Sequence, residues 1–129
     1  PKLKQAFEKH KEETQGHVER LQEVFEIIGK RAQGKTCEAI QGIIAEGEEI
    51  MEDFKGTAAL DAGLVSSAQA VEHYEIARYG TLKAWAEKLG HTKAVSLLDA
   101  TLKEESKTDD ALTALAKTSV NAAAEKKAA

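Results

Sequence analysis

Proline occurs once, at Pro1, and cysteine once, at Cys37, in a chain of 129 residues. The interior therefore holds no residue that bars a helix. A lone cysteine excludes an intramolecular disulfide and any zinc site built on several thiolates. Aromatic residues make up only 5% of the chain, and none is interleaved with a Lys/Arg-rich stretch, so nucleic acid is not an expected partner. Apolar runs are short and broken by charge, which argues against a membrane-spanning helix, and the first thirty residues lack the apolar region of a signal peptide. A cytoplasmic setting is the expectation.

Charge is present in quantity, 22 acidic against 18 basic residues, for a net charge of -4. Ala, Glu, Lys, Leu and Arg together exceed half of the residues, a composition of long helices. The length suits one domain with one core. Gly29 to Lys35, Lys55 to Thr57 and Leu89 to Thr92 join glycine to small or polar residues and read as breaks. They divide the chain into helices over about 3–29, 36–54, 58–89 and 92–120: three long ones and a short second one of crossover type. Gly90 suits the left-handed position that closes the third helix, and Thr92 can cap the fourth, so these two should form an antiparallel hairpin. Residues 1–120 are expected as a single domain, and 121–129, without an apolar stripe, as a frayed tail.

Polar intruders in the apolar stripes carry the chemistry. Residues three, four and seven apart share a helix face. On the first helix Leu3, Ala6, Phe7, Leu21, Val24 and Ile28 form a stripe whose middle is His10, Glu13 and His17. On the third, Val65, Ala68, Tyr79, Leu82, Ala86 and Leu89 flank Glu72 and Glu75. On the fourth, Ala94, Leu98, Thr101, Leu112 and Ala116 flank Glu105, with Asp109 toward the edge. The second helix, with Cys37, Ile40, Ile44, Gly47 and Met51 on one face, has no central carboxylate and reads as a packing element. Glu75 and Glu105 lie equally far from Gly90, each roughly 22 Å along its helix at about 1.5 Å per residue, so the hairpin sets them opposite one another. Glu72 and Thr108 match in the same way.

A single Glu or His on a stripe is usually a boundary residue. Three helices with intruders at one height are a different matter, because each unpaired ionised carboxylate in a core costs several kcal/mol, and Arg20 and Arg78 lie off the stripe centres. A bound cation removes that cost. Carboxylates with imidazole favour iron or manganese and admit zinc, and bundle cores that hold two metals draw Glu and His from facing helices. The common Glu-x-x-His pattern is absent: Gly16 follows Glu13 by three residues, and Thr108 follows Glu105. Tyr79, Trp85, Tyr74 and Cys37 read as packing residues, His73 as a surface residue, and the run Glu46, Glu48, Glu49, Glu52, Asp53 as a solvated face.

The stretches AFEKHKEETQGHVERL, KTCEAIQGIIAEGEEIME, AVEHYEIARYGTLKAWAEKLG and LLDATLKEESKTDDALTALA cover most of the chain. In that order they resemble the YciE/YciF family of ferritin-like bacterial stress proteins. The resemblance implies an all-α, rubrerythrin-like (ferritin-like) bundle, often dimeric, with a two-metal centre, and a stress-response role that includes handling of oxygen or peroxide. It carries Glu13 onto the metal-facing acid of the family's EET segment, Glu72 and Glu75 onto EHYE, and Glu105 onto the EE pair. His10 and His17 join them as candidate ligands or outer partners. Such proteins normally begin with a further long helix bearing an acidic residue, and this chain starts after the place where that helix should end. Either a truncated form or completion of the bundle by another chain is implied, and a homodimer is the expectation. Two other classes stand beside this reading. One is a metal-free helical dimerisation or interaction module whose polar core fixes register. The other is a histidine phosphotransfer bundle, disfavoured because His10 and His17 face inward and no His-x-x-Lys-Gly pattern occurs.

Overall fold

The computed structural model describes residues 2–128. Among them there is no strand, and the helices are α1 (Lys2–Ile27), α2 (Glu38–Asp53), α3 (Leu60–Lys88), α4 (Thr92–Leu115) and α5 (Asn121–Ala128). The all-α bundle expected from composition and periodicity is the fold. No helix among these residues is long and apolar enough to cross a membrane.

Left-handed glycines lie at the turns after α1, α2 and α3, Gly56 with φ of 75° after α2. Gly29 and Gly90 have φ of 66° and 77°, a left-handed conformation that costs a residue with a Cβ about 1–2 kcal/mol. At each, the next amide reaches back five residues, Lys30 to the Phe25 carbonyl at 2.9 Å and His91 to the Ala86 carbonyl at 2.9 Å, which satisfies carbonyls the helix end leaves open. The cap at Thr92 does not form. His91 occupies the N-cap position without a side-chain bond, since Gly90 already turns the chain and Thr92 is drawn into the first helical turn.

The α3/α4 hairpin is antiparallel about Gly90. Lys83 bonds Asp99 at 2.8 Å and Gln69 bonds Asp109 at 3.0 Å, pairs nearly equidistant from that glycine. α1 lies antiparallel on α4, with Glu23 beside Lys93 and Arg20 beside Glu104, and so runs parallel to α3. α2 packs on α3 through Gly47 against Ser67 and Ile50 against Gly63. This rotates the short helix from its expected setting: Ile43, Gly47 and Ile50 turn inward, while Ile44 and Met51 are about half exposed. The reason is close approach, because a side chain at Gly63 would collide with Ile50. On α1, Ile27 packs on the core and Ile28 is exposed, because Ile28 already belongs to the turn.

α4 does not stop at 120. It passes through a π-helical turn, Ala116–Val120, into α5. The wide turn brings Val120 into the cluster formed with Leu3, Val65 and Leu112. The expected frayed tail is thus helical through Ala128: alanine is the strongest helix former, and α5 packs against α3 with Ala124 half-buried.

The core consists of two apolar clusters. Leu3, Val65, Leu112 and Val120 fill one end; Tyr79, Ala86, Ala94 and Leu98 fill the other. Between them lies a layer with the buried polar residues His17, Glu72, Thr101 and Glu105. Because Gly90 fixes the hairpin register, the acids of α3 and α4 fall at one level, and α1 crosses that level at His10 to His17.

Candidate metal centre

Glu72 is 2% exposed and Glu105 is fully buried. Their stripe positions face the α3/α4 interface, with α1 closing over them. His10 reaches in from α1, its Nε2 3.1 Å from Glu72 Oε1 and 3.9 Å from Glu105 Oε2. Its Nδ1 lies 3.4 Å from Thr108 Oγ1. Glu75 joins from the next turn of α3. One ligand atom from each of His10, Glu72, Glu75 and Glu105 lies within 4.8 Å of every other, a span that one ion with ligands at about 2.0–2.2 Å can bridge with small side-chain adjustments.

The electrostatics are those of a site lacking its counter-charge. Burial raises the Glu105 carboxyl well above the usual carboxylate range, and Glu75 and Glu72 add to the effect. Glu72 is raised by burial and by the charges of Glu75, Asp109 and Glu13, and Glu75 by burial alone. Burial and the neighbouring His17 lower His10, so its imidazole tends to be neutral, the form that ligates metal. Burial together with Glu75 and Glu105 pushes the Tyr79 hydroxyl up to about 12. This tyrosine packs edge-on to His17 at 6.3 Å between ring centroids.

Among the described residues, four buried side-chain atoms lack a hydrogen-bond partner: Glu72 Oε2, both carboxyl oxygens of Glu105, and His17 Nδ1. Buried polar atoms left in this way each cost about 1–3 kcal/mol, more when charged. All four lie in the layer between the apolar clusters, and all four are metal-donor types. The donor set fits a first-row transition ion.

The six residues singled out in the sequence therefore divide. His10, Glu72, Glu75 and Glu105 converge. Glu13 stands at the rim, half-buried, bonded to Lys9 at 3.0 Å with its other oxygen 4.0 Å from His10 Nδ1. His17 is 2% exposed and lies beside Glu105, with Nδ1 3.0 Å from Oε1, outside the four-residue cluster. Glu104, Arg20 and Thr101 complete this side. Arg20 donates to both oxygens of Glu104 at 2.7 and 2.9 Å and to Thr101 Oγ1 at 3.1 Å. His17 Nε2 meets Glu104 Oε2 at 2.9 Å. The guanidinium lowers the Glu104 carboxyl to about 2. Glu104 escaped sequence reasoning because it sits about 100° from Glu105, off the stripe. Its one signal was the i, i+3 spacing to Thr101, the same as that from His17 to Arg20.

The sequence model of the domain of unknown function DUF892 matches residues 1–125. Protein YciF of Escherichia coli strain K12 is 48% identical over 128 residues, which are 98% of this chain and 77% of that protein. The crystal structure of the E. coli stress protein YciF superposes with a TM-score of 0.88 at 47% identity, covering 94% of this chain and 77% of the other. YcfI of Rhodopseudomonas palustris superposes with a TM-score of 0.84 at 47% identity, covering 88% of this chain and 72% of that one. With the family model spanning nearly the whole sequence and the same bundle in two relatives, the chain belongs to the YciF family of helical-bundle proteins.

Proposed function

We propose that this protein binds a first-row transition metal in the polar layer of its bundle, and that the ion is iron or manganese, with zinc as the competitor. The observation that carries the reading is the set of four unpartnered buried donor atoms, from two carboxylates and an imidazole, in one layer of the core. Glu72, Glu105, Glu75 and His10 are the ligands of one ion. Glu105 turns one oxygen toward His10 and the other toward His17, which supports a bridging carboxylate and a second ion beside the first. Glu13, at the rim, is within reach of His10 as an outer partner. A stress-related role in handling oxygen or peroxide is the physiological setting proposed, in line with the description of the E. coli relative as a stress protein and with a cytoplasmic location.

A second copy of the chain is the proposed partner. Leu82, Trp85 and Leu89 lie on one side of α3 and are 38%, 62% and 71% exposed, and on α1 Val18 and Ile28 are also open. A groove of about 420 Å³ lined by Phe7, Ile44, Met51, Leu64 and Val71 leads to His10 and Glu72. An apolar surface of this extent is unusual on a monomer.

Elemental analysis of protein purified without added metal, followed by calorimetry with saturating Fe(II) under anaerobic conditions, Mn(II) or Zn(II), tests the metal reading. A ligand selective for the folded state stabilises it by about RT ln(1 + [L]/Kd), so the melting temperature should rise. An unchanged melting temperature with all three ions would refute metal binding and leave the polar layer as a register device of a metal-free dimerisation module.

A further inference from the structure

The setting of His17 Nδ1 has its cause just outside the cluster, in Glu104. Glu104, clamped by both of its oxygens to Arg20, is an ionised carboxylate and can only accept a hydrogen bond. The His17 nitrogen facing it at 2.9 Å, Nε2, must therefore be the donor. In the neutral form, the one that ligates metal, only one nitrogen carries hydrogen, so with Nε2 donating it is Nδ1 that bears the lone pair. That lone pair is buried, 3.0 Å from Glu105 Oε1. The proton that buried Glu105 retains in the metal-free protein can bridge this pair, and a metal ion that displaces it would leave both atoms free to ligate. A separation of about 3 Å is also the edge between adjacent ligands at about 2.1 Å from one ion.

Arg20 further shows that the Glu104 side of the layer is not itself an ion site. A guanidinium bidentate on that carboxylate already supplies the positive charge, and Thr101 Oγ1 accepts another of its N–H groups. Arg20 and Glu104 are half-buried, each side chain about a third exposed or less, whereas His17 is buried. The chain Arg20, Glu104, His17 thus runs from solvent to the layer, each member fixing the next.

We propose that Glu104 and Arg20 are positioning residues that hold His17 in its Nε2–H tautomer, with Nδ1 presented to the metal layer as a ligand beside Glu105. The ligand role rests on the metal reading above; the tautomer does not. Carboxylates that hold a ligating imidazole by its distal N–H are worth about ten- to a hundredfold in metal affinity.

The test combines long-range ¹H–¹⁵N spectra of the histidine rings in uniformly labelled, metal-free protein with Co(II) titration followed by visible absorption. In the wild type, His17 should show a protonated Nε2 and an unprotonated Nδ1. Glu104→Ala should mix the tautomers, weaken Co(II) binding about ten- to a hundredfold and change the d–d bands. Glu104→Gln retains a side-chain oxygen for Nε2–H and should stay within about threefold of the wild type. Arg20→Ala combined with Glu104→Ala should be no worse than Glu104→Ala alone, since the two act through one imidazole. A wild-type His17 protonated at Nδ1, or a Glu104→Ala protein with the wild-type tautomer, affinity and spectrum, overturns the proposal. A wild type with the expected tautomer that binds no Co(II) overturns the metal reading and the ligand role of His17, and leaves the positioning of its ring standing.

Discussion

Replacing Glu105 with glutamine should stabilise the metal-free protein at alkaline pH and abolish most of its stabilisation by metal. Glu105 is fully buried between α1, α3 and α4, and desolvation keeps its carboxyl protonated far above the usual carboxylate range. In the unfolded chain it ionises near pH 4.5. Across the pH window above neutrality the folded state therefore holds a proton that the unfolded state has lost, and stability falls as pH rises, by about 1.4 kcal/mol per pH unit for each such carboxyl. Between pH 7 and 8.5 this amounts to about 2 kcal/mol from Glu105 alone, a sizeable share of the roughly 5–15 kcal/mol typical of a domain. His10, whose pKa is lowered by burial, acts in the opposite direction only below about pH 6.5, where its unfolded form takes up a proton, so it leaves this window clear. Metal inverts the dependence, because carboxylates ligate only after losing their protons, and the stabilisation by Mn(II) should grow over the same range. Urea unfolding of wild type and Glu105→Gln at pH 5.5, 7 and 8.5, with chelator or with Mn(II), measures all of this. The glutamine, a neutral near-isostere, should match the wild type at pH 5.5, exceed it by about 2 kcal/mol at pH 7 and about 4 kcal/mol at pH 8.5 without metal, and gain little from Mn(II). Metal-free wild-type stability that stays level or rises from pH 7 to 8.5 would refute the reasoning, since the buried carboxyl would then have found a counter-charge other than metal.

Glu75→Ala should remove most metal binding and combine non-additively with Glu105→Ala in a titration, because both serve one centre, whereas Glu49→Ala on the exposed face of α2 should bind as the wild type. Leu112→Ala opens a cavity in the cluster with Leu3, Val65 and Val120 and should cost about 2–5 kcal/mol in urea unfolding, with the secondary structure retained by circular dichroism. Gly63→Ala would place a Cβ 2.5 Å from Ile50 Cγ2 and should cost about 1–3 kcal/mol, relieved by Ile50→Ala in the same chain, if α2 is seated as described. Light scattering at micromolar concentration should give a dimer that Trp85→Glu with Leu89→Glu converts to a monomer; a cooperative, fully helical wild-type monomer would reject the second copy as partner.

Much of this protein is written locally. An interior free of proline, glycines at the left-handed turns and apolar residues at helical spacing determine four helices and the hairpin about Gly90, because each depends on contacts a few residues apart. The hairpin register in turn sets Glu72, Glu75 and Glu105 at one height, which is why those carboxylates could be named from spacing alone. What the tertiary structure decided lies off the stripes. The rotation of α2 follows from how closely Gly63 lets Ile50 approach, and the continuation of α4 into α5 from the place Val120 finds beside Leu3; neither contact has a local signature. Glu13, centred on its stripe, stays at the rim because α1 lies closer to α4 than to α3. Glu104, a residue aside from the stripe, faces His17 because the same helix pairing brings Arg20 and Thr101 to it. Helical periodicity states which residues share a face, but the rotation of one helix against another, set by packing of side chains distant in sequence, decides which edge of that face becomes interior.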